Sequence, residues 1–305
     1  MKRSIICLFI LWIGISCYPT PLLAQTNEPV IDFTADTQAP LFIERIIRKT
    51  NNNEKATEMI FNEINKRCPV SLFILGDVVS LGFENSKWKS MDGYLKLLRN
   101  NGIPVYAALG NHELMINATK GGRLFQQRFP EHSPTGYVET IDSVAIILLN
   151  SNFEKMKQAA IDTQDAWYNN TLHRLDSDAS VKFVIVGCHH SPYTNSKVVN
   201  PSVKVQQKFV APFQKSKKCV LFLSGHSHNF ERFEVNGKCF LVIGGGGGIN
   251  QSVHTDKGNT HDLSANYKPM FHYIEVKRIR DSLQVTSRQL KADFSGFANG
   301  LTITL

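Results

Sequence analysis

At five places along the chain, a short polar cluster directly follows an apolar, β-branched run. The clusters are Asp36-Thr37-Gln38, Gly76-Asp77, Gly110-Asn111-His112-Glu113, His189-His190 and Gly225-His226-Ser227-His228. Helical patterns lie between most of the runs, which predicts alternating strands and helices. Since open α/β sheets assemble their sites at the carboxyl ends of the strands, we expect the five clusters to meet in space.

The rest of the sequence extends this pattern and ends in β-structure. Strands are predicted at 30–34, 70–75, 103–109, 137–141, 144–149, 181–187, 219–224, 230–235, 240–243, 271–276 and 283–287. Helices are predicted at 41–66 with a break at Asn51-Asn52-Asn53, at 86–99, around 166–175, and between the strands at 181–187 and 219–224. The predicted fold is α/β, a sandwich of mixed β-sheets flanked by helices.

The clusters carry carboxylate, amide and imidazole groups, all of which bind divalent metal ions. Two metal ions about 3.5–4 Å apart hold both the attacking and the leaving oxygen of a displacement at phosphorus. Asp77 suits the bridging carboxylate, because the neighbouring Gly76 lets the backbone turn tightly. The remaining candidate ligands are Asp36, Asn111, His190, His226 and His228. His112 is the candidate proton donor for the leaving group.

In their order along the chain, these motifs resemble the calcineurin-like metallophosphoesterase superfamily. The resemblance covers roughly residues 30–290. The segment 225–232, Gly-His-Ser-His-Asn-Phe-Glu-Arg, is similar to the Gly-His-x-His-x-Tyr-Glu-Arg of purple acid phosphatases, and His190-Ser191-Pro192-Tyr193 is similar to another of their metal motifs. The resemblance implies a metallophosphoesterase-type sandwich of two mixed β-sheets.

The resemblance also implies roles for individual residues. Asp36 and His228 would hold a first metal ion, and Asp77 would bridge to a second. Asn111, His190 and His226 would hold the second ion. A metal-bound hydroxide would attack phosphorus, and His112 would protonate or orient the leaving oxygen. Asn111, His112 and Tyr193 are the residues expected to contact substrate.

Two positions depart from the family pattern. Gln38 stands where much of the superfamily has a histidine ligand, and three roles stay open for it: direct ligation, a hydrogen bond to metal-bound water, or neither. Ser80 stands where purple acid phosphatases have a tyrosinate ligand for ferric iron. We therefore expect a colourless centre that holds two divalent ions such as manganese, zinc or ferrous iron.

Three neighbouring features receive structural interpretations. His189 is expected to face away from the ligand cluster, on the assumption that its strand continues past it. Glu113 is expected to orient His112 or to satisfy backbone donors rather than to act as a base. The run Gly244 to Gly248 lacks the Lys-Ser/Thr of a phosphate-binding loop, so we expect it to pack closely against the metal site.

The N-terminus has the pattern of an export signal. Lys2 and Arg3 precede an apolar segment at 5–15 that is too short to span a bilayer, and 22–24 has the pattern of a cleavage site. The prediction is a signal peptide at 1–24, cleavage before Gln25, and a phosphoesterase domain at 25–305. The exported protein would be periplasmic or secreted. Cys17 offers an alternative as the site of a lipid anchor.

Charge and composition exclude some partners. Removing Lys2 and Arg3 lowers the formal charge from +8 to +6, and no basic stripe with interleaved aromatic residues is present. We therefore expect no nucleic-acid partner. No apolar segment in the mature chain is long enough to span a membrane. Cys68, Cys188, Cys219 and Cys239 show no spacing that indicates a disulfide framework.

The function expected from these observations is an exported, dinuclear metal-dependent phosphoesterase, an acid phosphatase-like enzyme that hydrolyses small phosphomonoesters. One alternative is a phosphodiesterase or a nucleotide or nucleotide-sugar pyrophosphatase that uses the same site. A second alternative is a surface binding protein that keeps the fold without catalysis. The complete ligand set argues against the second, because such proteins need neither the bridging carboxylate nor the last two histidines.

Overall fold

Twelve β-strands form two six-stranded sheets in the computed structural model, which describes residues 28–48, 50–254 and 260–305. The strands are β1 (Val30–Thr34), β2 (Ser71–Leu75), β3 (Val105–Ala108), β4 (Tyr137–Ile141), β5 (Val144–Leu149), β6 (Phe183–Cys188), β7 (Cys219–Ser224), β8 (Phe230–Val235), β9 (Lys238–Ile243), β10 (His272–Ile279), β11 (Ser282–Leu290) and β12 (Phe297–Thr304). The predicted signal peptide at 1–24, its cleavage before Gln25 and the alternative anchor at Cys17 lie outside the described residues.

Helices connect the parallel strands and cover the outer faces of the sheets. They are α1 (Phe42–Ile47), α2 (Asn53–Arg67), α3 (Asn85–Asn100), α4 (Asn111–Leu114), α5 (Ala118–Arg128), α6 (Gln158–Ser177), α7 (Val203–Val205) and α8 (Ala211–Lys215), with a π-helical turn (Gln206–Val210) between the last two. Among these described helices, none combines the length and the apolar composition that crossing a membrane would require.

Both sheets are mixed, as the sequence predicts. The first has the order β12-β11-β10-β1-β2-β3, in which β1, β2 and β3 are parallel and β10 to β12 are antiparallel. The second has the order β4-β5-β6-β7-β9-β8, in which β5, β6, β7 and β9 are parallel. The parallel strands of each sheet therefore present their carboxyl ends at one edge.

The main core lies between the two sheets. Phe33 and Phe73 stack with ring centroids 5.1 Å apart on the inner face of the first sheet, and they belong to one buried cluster with Leu148, Ile185 and Leu221 of the second. Burying an aromatic or aliphatic side chain of this size stabilises the fold by about 1.5–3 kcal/mol. The sandwich is held together by this interior.

Helices α2 and α3 cover the outer face of the first sheet. The helix α2 buries Ala56, Ile60 and Ile64, whose spacing of four residues places them on one face. Trp88 of α3 is fully buried in the same cluster. On the outer face of the second sheet, Tyr168 of α6 has the corresponding position. The strand ends are thus carried on a scaffold that is packed on both sides.

One strand of the structure, β12, is not among those predicted from the sequence. The strand β12 contains Asn299-Gly300, a pair typical of hairpin turns. The register between β11 and β12 shifts between Thr286 and Arg288, so a β-bulge at this point accommodates the glycine within a strand.

The four cysteines among the described residues are free thiols, a point that their spacing in the sequence leaves open. Cys68 is exposed, whereas Cys188, Cys219 and Cys239 are buried within or at the ends of strands. Burial raises the pKa of the Cys239 thiol to about 11, so this sulfur stays protonated and unreactive at neutral pH.

Candidate metal centre

The polar clusters meet because neighbouring parallel strands end together. In the first sheet, β1, β2 and β3 lie side by side and lead to Asp36, Asp77 and Asn111. In the second sheet, β6 and β7 are neighbours and lead to His189 and His226. The two sets face each other across the top of the sandwich, as the strand pattern predicts.

The backbone bends sharply at three of these side chains. Asp36, Asp77 and His226 have φ of 59°, 50° and 67°, in the left-handed region that residues other than glycine seldom adopt. Each such residue costs about 1 kcal/mol or more. Main-chain hydrogen bonds hold the first two turns in place, from Asp36 N to Gly76 O (3.1 Å) and from Gln38 N to Asp77 O (3.1 Å).

Asp77 is the central carboxylate. Its Oδ2 atom lies 3.3 Å from Nε2 of His189 and 3.8 Å from Nε2 of His112. Its Oδ1 atom accepts a hydrogen bond from the backbone N–H of His112 (2.9 Å). Burial would raise the pKa of Asp77, but the neighbouring His189 and His112 hold it well below its ordinary value. Asp77 is therefore ionised and stands between the two groups of candidate ligands.

The orientation of His189 differs from the expectation that it faces away. Its Nε2 atom lies 2.9 Å from Oδ1 of Asn111 and 3.2 Å from Nδ1 of His226. Its Nδ1 atom donates to the carbonyl oxygen of Leu75 (3.0 Å), because a carbonyl can only accept, and this leaves Nε2 to face the cluster. That expectation was wrong because β6 ends at Cys188, so the strand alternation does not reach the next residue.

His190 lies in the same cluster as its neighbour. Candidate ligand atoms of His189, His190 and His226 lie within 4.8 Å of one another, and so do those of Asp36, Asp77 and His189. The Nδ1 atom of His190 is 2.9 Å from Oγ of Ser151, whose hydroxyl also accepts from the backbone N–H of His190 (3.0 Å). Burial and the nearby His189 lower the pKa of His190 to about 3. Ligation by His190 stays a prediction.

Ser151 is a site residue that the sequence interpretation missed. It belongs to Asn150-Ser151-Asn152, which directly follows β5. Since β5 is parallel to β6, the rule that selected the other clusters applies here as well. The side chain of Asn152 donates to the carbonyl oxygen of Leu109 (3.0 Å), so this segment also connects the second sheet to the end of β3.

His228, Asp36 and Gln38 form the other side of the centre. The Nδ1 atom of His228 donates to the carbonyl oxygen of Ile249 (2.9 Å), and its Nε2 lies 3.4 Å from Oδ1 of Asp36. Hydrogen bonding assigns the amide nitrogen of Gln38 to the carbonyl oxygens of Asp77 (2.9 Å) and Asp36 (3.1 Å). The amide oxygen then faces Nε2 of His228 at 3.3 Å, which is the orientation that ligation of a metal or of its water requires.

His112 presents one ring nitrogen to the centre. Its Nδ1 atom donates to the carbonyl oxygen of Ser80 (2.8 Å), which fixes the ring and leaves Nε2 on the side of Asp77. The main chain of Ser80 thus orients the candidate proton donor, a contact that no residue type in the sequence indicates.

Glu113 satisfies backbone donors, as expected. It is fully buried and accepts hydrogen bonds from the N–H groups of Gly110 (2.8 Å), Asp77 (3.0 Å) and Val79 (3.1 Å). Burial and the charge of Asp77 raise the pKa of Glu113 to about 7. Its carboxylate joins the turn after β2 to the turn after β3, and so fixes Asp77 relative to Asn111.

The glycine run packs against the centre, which confirms the structural interpretation. The N–H groups of Gly246 and Gly248 donate to the carbonyl oxygens of Ala35 (2.9 Å) and Asp36 (2.7 Å). A Cβ atom on Gly246 would overlap that oxygen of Ala35, and one on Gly248 would overlap the ring of His228. Only glycine allows this loop to support the first turn so closely.

Tyr193 follows His190 by three residues, and the described residues show no contact between it and the ligand cluster. Its ring packs against Phe240 and Phe233, with centroid distances of 5.0 and 6.2 Å. The neighbouring Asn195 is held by its backbone N–H, which donates to the buried carboxylate of Glu231 (2.7 Å). A contact between Tyr193 and substrate stays a prediction.

Comparison with known proteins gives one family and several related structures. A sequence profile of the calcineurin-like phosphoesterase family matches residues 29–230. The chain is similar to purple acid phosphatase PPD1 from yellow lupin (Lupinus luteus) seeds, with a TM-score of 0.69 and 15% identity over 92% of this chain and 54% of that one. It therefore spans about half the length of the lupin protein.

Two further solved structures are similar. GAP50, the anchor in the inner membrane complex of Plasmodium, has a TM-score of 0.65 and 13% identity over 91% of this chain and 88% of that one. A dimetal phosphatase from Danio rerio has a TM-score of 0.59 and 11% identity over 90% of this chain and 98% of that one. At these identities, the likeness shows the fold alone. No curated protein matches the chain in sequence.

Proposed function

The chain belongs to the calcineurin-like phosphoesterase family, and we propose that it is an exported hydrolase of phosphomonoesters that depends on two divalent metal ions. The observation that carries the proposal is the convergence of carboxylates and imidazoles around Asp77. Candidate ligand atoms of Asp36, Asp77 and His189 lie within 4.8 Å of one another, and a second group of three imidazoles shares His189.

The donor set fits two divalent ions of borderline hardness. Carboxylate, amide and imidazole groups together suit manganese, zinc or ferrous iron. Asp36, His228 and the amide oxygen of Gln38 would hold one ion. The residues that would hold the other are Asn111, His226 and one or both of His189 and His190. Asp77 lies between the two groups and would bridge them.

When bound, the ions would supply a nucleophile from water at neutral pH and neutralise charge on the phosphoryl oxygens. The chain itself supplies the proton donor. Nε2 of His112 faces the centre, and the bond from Nδ1 to the carbonyl of Ser80 keeps the ring in that position. The carboxylate of Asp77 accepts a hydrogen bond from the backbone N–H of His112. This bond fixes the candidate bridging ligand relative to the candidate proton donor.

Ser80 supports the expectation of a colourless centre. Ser80 is buried, and in sequence it stands at the position where purple acid phosphatases have a tyrosinate; a serine hydroxyl gives no charge-transfer band with ferric iron. A visible tyrosinate band from the purified, metal-replete protein would contradict this part of the proposal.

Monoester hydrolysis is proposed on the similarity of segment 225–232 to the purple acid phosphatase motif. Hydrolysis of diesters or of pyrophosphate bonds is the second candidate, since the same centre serves both. Turnover of nitrophenyl phosphate and of bis-nitrophenyl phosphate compares the two directly. Faster turnover of the monoester supports the proposal, and a preference for the diester favours the second candidate.

Metal analysis with an Asp77→Asn variant tests the centre itself. We expect the variant to lose metal and to lose activity by a factor on the order of a thousand, because an amide is a poor bridge. Asp281→Asn is the matched control, since Asp281 is exposed and pairs with Lys182 at the opposite edge of the sheets. Normal metal content and activity in Asp77→Asn would rule the mechanism out, whereas a parent chain that binds metal but hydrolyses neither ester would favour a non-catalytic binding protein.

Export is proposed from the N-terminal pattern alone. The mass and N-terminal sequence of the protein recovered from its native host test it. A chain that begins at Gln25 supports a free exported protein, and a lipid-modified chain that begins at Cys17 supports the anchored alternative. A chain that still begins at Met1 contradicts both.

A further inference from the structure

Helix α1 is amphipathic, but its apolar side faces away from the protein. Its sequence is Phe-Ile-Glu-Arg-Ile-Ile, and no residue of it is buried. Phe42 is 80% exposed, and the exposed fractions of Ile43, Ile46 and Ile47 are 57%, 64% and 67%. The pairs 42/46 and 43/47 are each four residues apart, so the four side chains form one ridge. We call these four residues the α1 ridge.

The hydrogen bonds described for α1 are made by its polar residues. The backbone N–H of Leu41 donates to Glu44 (2.8 Å). Arg45 donates to the carbonyl oxygen of Pro40 (3.3 Å) and pairs with Glu54 of α2 (2.7 Å). A surface helix normally has the reverse arrangement, with its apolar stripe on the core. These contacts hold the helix so that the α1 ridge faces outwards.

Other exposed apolar side chains lie in segments that follow strands at the same edge. Ile116, after β3, is 78% exposed, and Val198 and Val203, after β6, are exposed as well. The α1 ridge itself begins four residues after Gln38. Several large exposed apolar side chains at one edge are typical of a site of interaction with a membrane or a partner.

The segments that follow β3 and β6 are basic. Residues 115–125 contain Lys120 and Arg123, and residues 190–205 contain Lys197 and Lys204, all of them exposed. Neither segment contains an acidic residue. Apolar side chains flanked by lysine and arginine are the pattern of surfaces that lie on anionic lipid. A protein partner with an acidic rim would also match these charges. We favour a lipid surface because it accepts exposed apolar side chains without needing a groove of matching shape.

We infer that this edge of the sandwich, which carries the α1 ridge, docks onto an anionic lipid surface. The apolar side chains enter the boundary between headgroups and acyl chains. The basic residues contact the anionic headgroups, and each contributes about 1 kcal/mol near such a surface. The inference does not depend on the proposed hydrolase activity, since it concerns binding alone.

Sedimentation with vesicles tests the apolar contribution. The vesicles contain equal parts of phosphatidylcholine and phosphatidylglycerol, and the full chain is used throughout, so that any contribution of its N-terminal segment is common to all variants. We expect Phe42→Ser with Ile46→Ser to lower the partition coefficient by at least about tenfold, because two large apolar side chains no longer enter the lipid. The matched control is Val70→Ser with Ile279→Ser, which changes two exposed apolar residues at the opposite edge and leaves binding unchanged.

A second pair of variants tests the charge contribution. Lys197→Gln with Lys204→Gln is expected to weaken binding by about tenfold, whereas Lys66→Gln with Lys217→Gln, at the opposite edge, leaves it unchanged. Binding to vesicles of phosphatidylcholine alone is expected to be weaker than to the mixed vesicles. Equal thermal unfolding midpoints exclude a folding defect in any variant.

Three results would overturn the inference. The first is a parent chain that does not sediment with the anionic vesicles. The second is a Phe42/Ile46 variant that binds them as tightly as its control. The third is a parent chain that forms a dimer which this variant dissociates, without vesicle binding by either, since the ridge would then serve a second copy of the chain.

Discussion

Nε2 of His189 lies 3.3 Å from Oδ2 of Asp77, and this contact joins the two sheets. Asp77 follows β2 of the first sheet, whereas His189 follows β6 of the second. Burial would lower the pKa of His189, but the carboxylate of Asp77 raises it to about 9. The candidate metal centre therefore exists only when the two sheets are packed in register.

The first prediction separates His189 from His190. Because Nε2 of His189 contacts both Asp77 and Asn111, we expect His189→Ala to reduce metal content and to weaken metal affinity by at least about tenfold. His190→Ala should have the smaller effect, since the side-chain contacts described for His190 are to Ser151 and to the rings of His189 and His226, and none reaches the bridging Asp77. Elemental analysis of both variants, after equal dialysis, measures the difference. The reverse order of effects would restore His190 as the principal ligand.

The second prediction concerns proton donation. We expect His112→Ala to slow hydrolysis of an alkyl phosphate by about 10²–10³-fold, because the poor leaving group needs a proton. Nitrophenyl phosphate should be affected far less, since nitrophenolate leaves without protonation. The ratio of the two rates, measured at equal metal occupancy, is the readout. Equal losses on both substrates would show that the ring serves structure or binding rather than acid catalysis.

The third prediction concerns Glu113. Its two oxygens accept three backbone hydrogen bonds in a fully buried position. In a glutamine, the side-chain NH2 group would face one or more of these backbone N–H groups, and two donors cannot bond to each other. Glu113→Gln should therefore lower the free energy of unfolding by about 1–3 kcal/mol. Glu131→Gln, an exposed change of the same chemistry, is the control. Denaturant unfolding compares them, and similar stabilities would contradict the role assigned to this carboxylate.

The fourth prediction uses two glycines with opposite surroundings. A methyl group at Gly246 overlaps the carbonyl oxygen of Ala35, so Gly246→Ala should destabilise the protein by about 1–3 kcal/mol. Gly93 lies in α3 with nothing within 4 Å of its would-be Cβ, so Gly93→Ala should stabilise by about 0.5–1 kcal/mol. Thermal unfolding measures both signs. If Gly246→Ala left the stability unchanged, the backbone of the glycine run would have to shift to make room for the methyl group, contrary to this prediction.

The fifth prediction concerns acid stability. Burial lowers the pKa of His132 from 6.5 to about 4, so the unfolded chain binds a proton there more readily than the folded protein does. Stability is therefore lost as the pH falls through the window from about 6.5 to about 4, by about 3 kcal/mol at most. His132→Phe keeps the edge-on packing against Phe125 and removes the titration. Its unfolding free energy should depend less on pH in this window, and a slope equal to that of the parent would exclude this cause.

Much of the fold and of the candidate site can be predicted from this sequence, because the site residues directly follow regular strands. β1, the β4–β5 hairpin, β7 and β8 have the predicted bounds, since their apolar runs are flanked by strong turn residues. The clusters at strand ends converge as predicted. Main-chain relationships are what the sequence does not reveal. The carbonyl of Ser80 that orients His112, and the end of β6 that turns His189 inward, depend on backbone paths rather than on residue types.

The left-handed turns at Asp36, Asp77 and His226 have a consequence for the empty protein. Hydrogen bonds and the glycine run hold these turns, and since such contacts do not need a cation, we expect the ligands to keep their alignment when metal is removed. Chelation should then abolish catalysis while leaving the circular dichroism spectrum almost unchanged, and re-addition of metal should restore activity without refolding. Such a protein could remain folded through metal starvation and become active again once its cation returns.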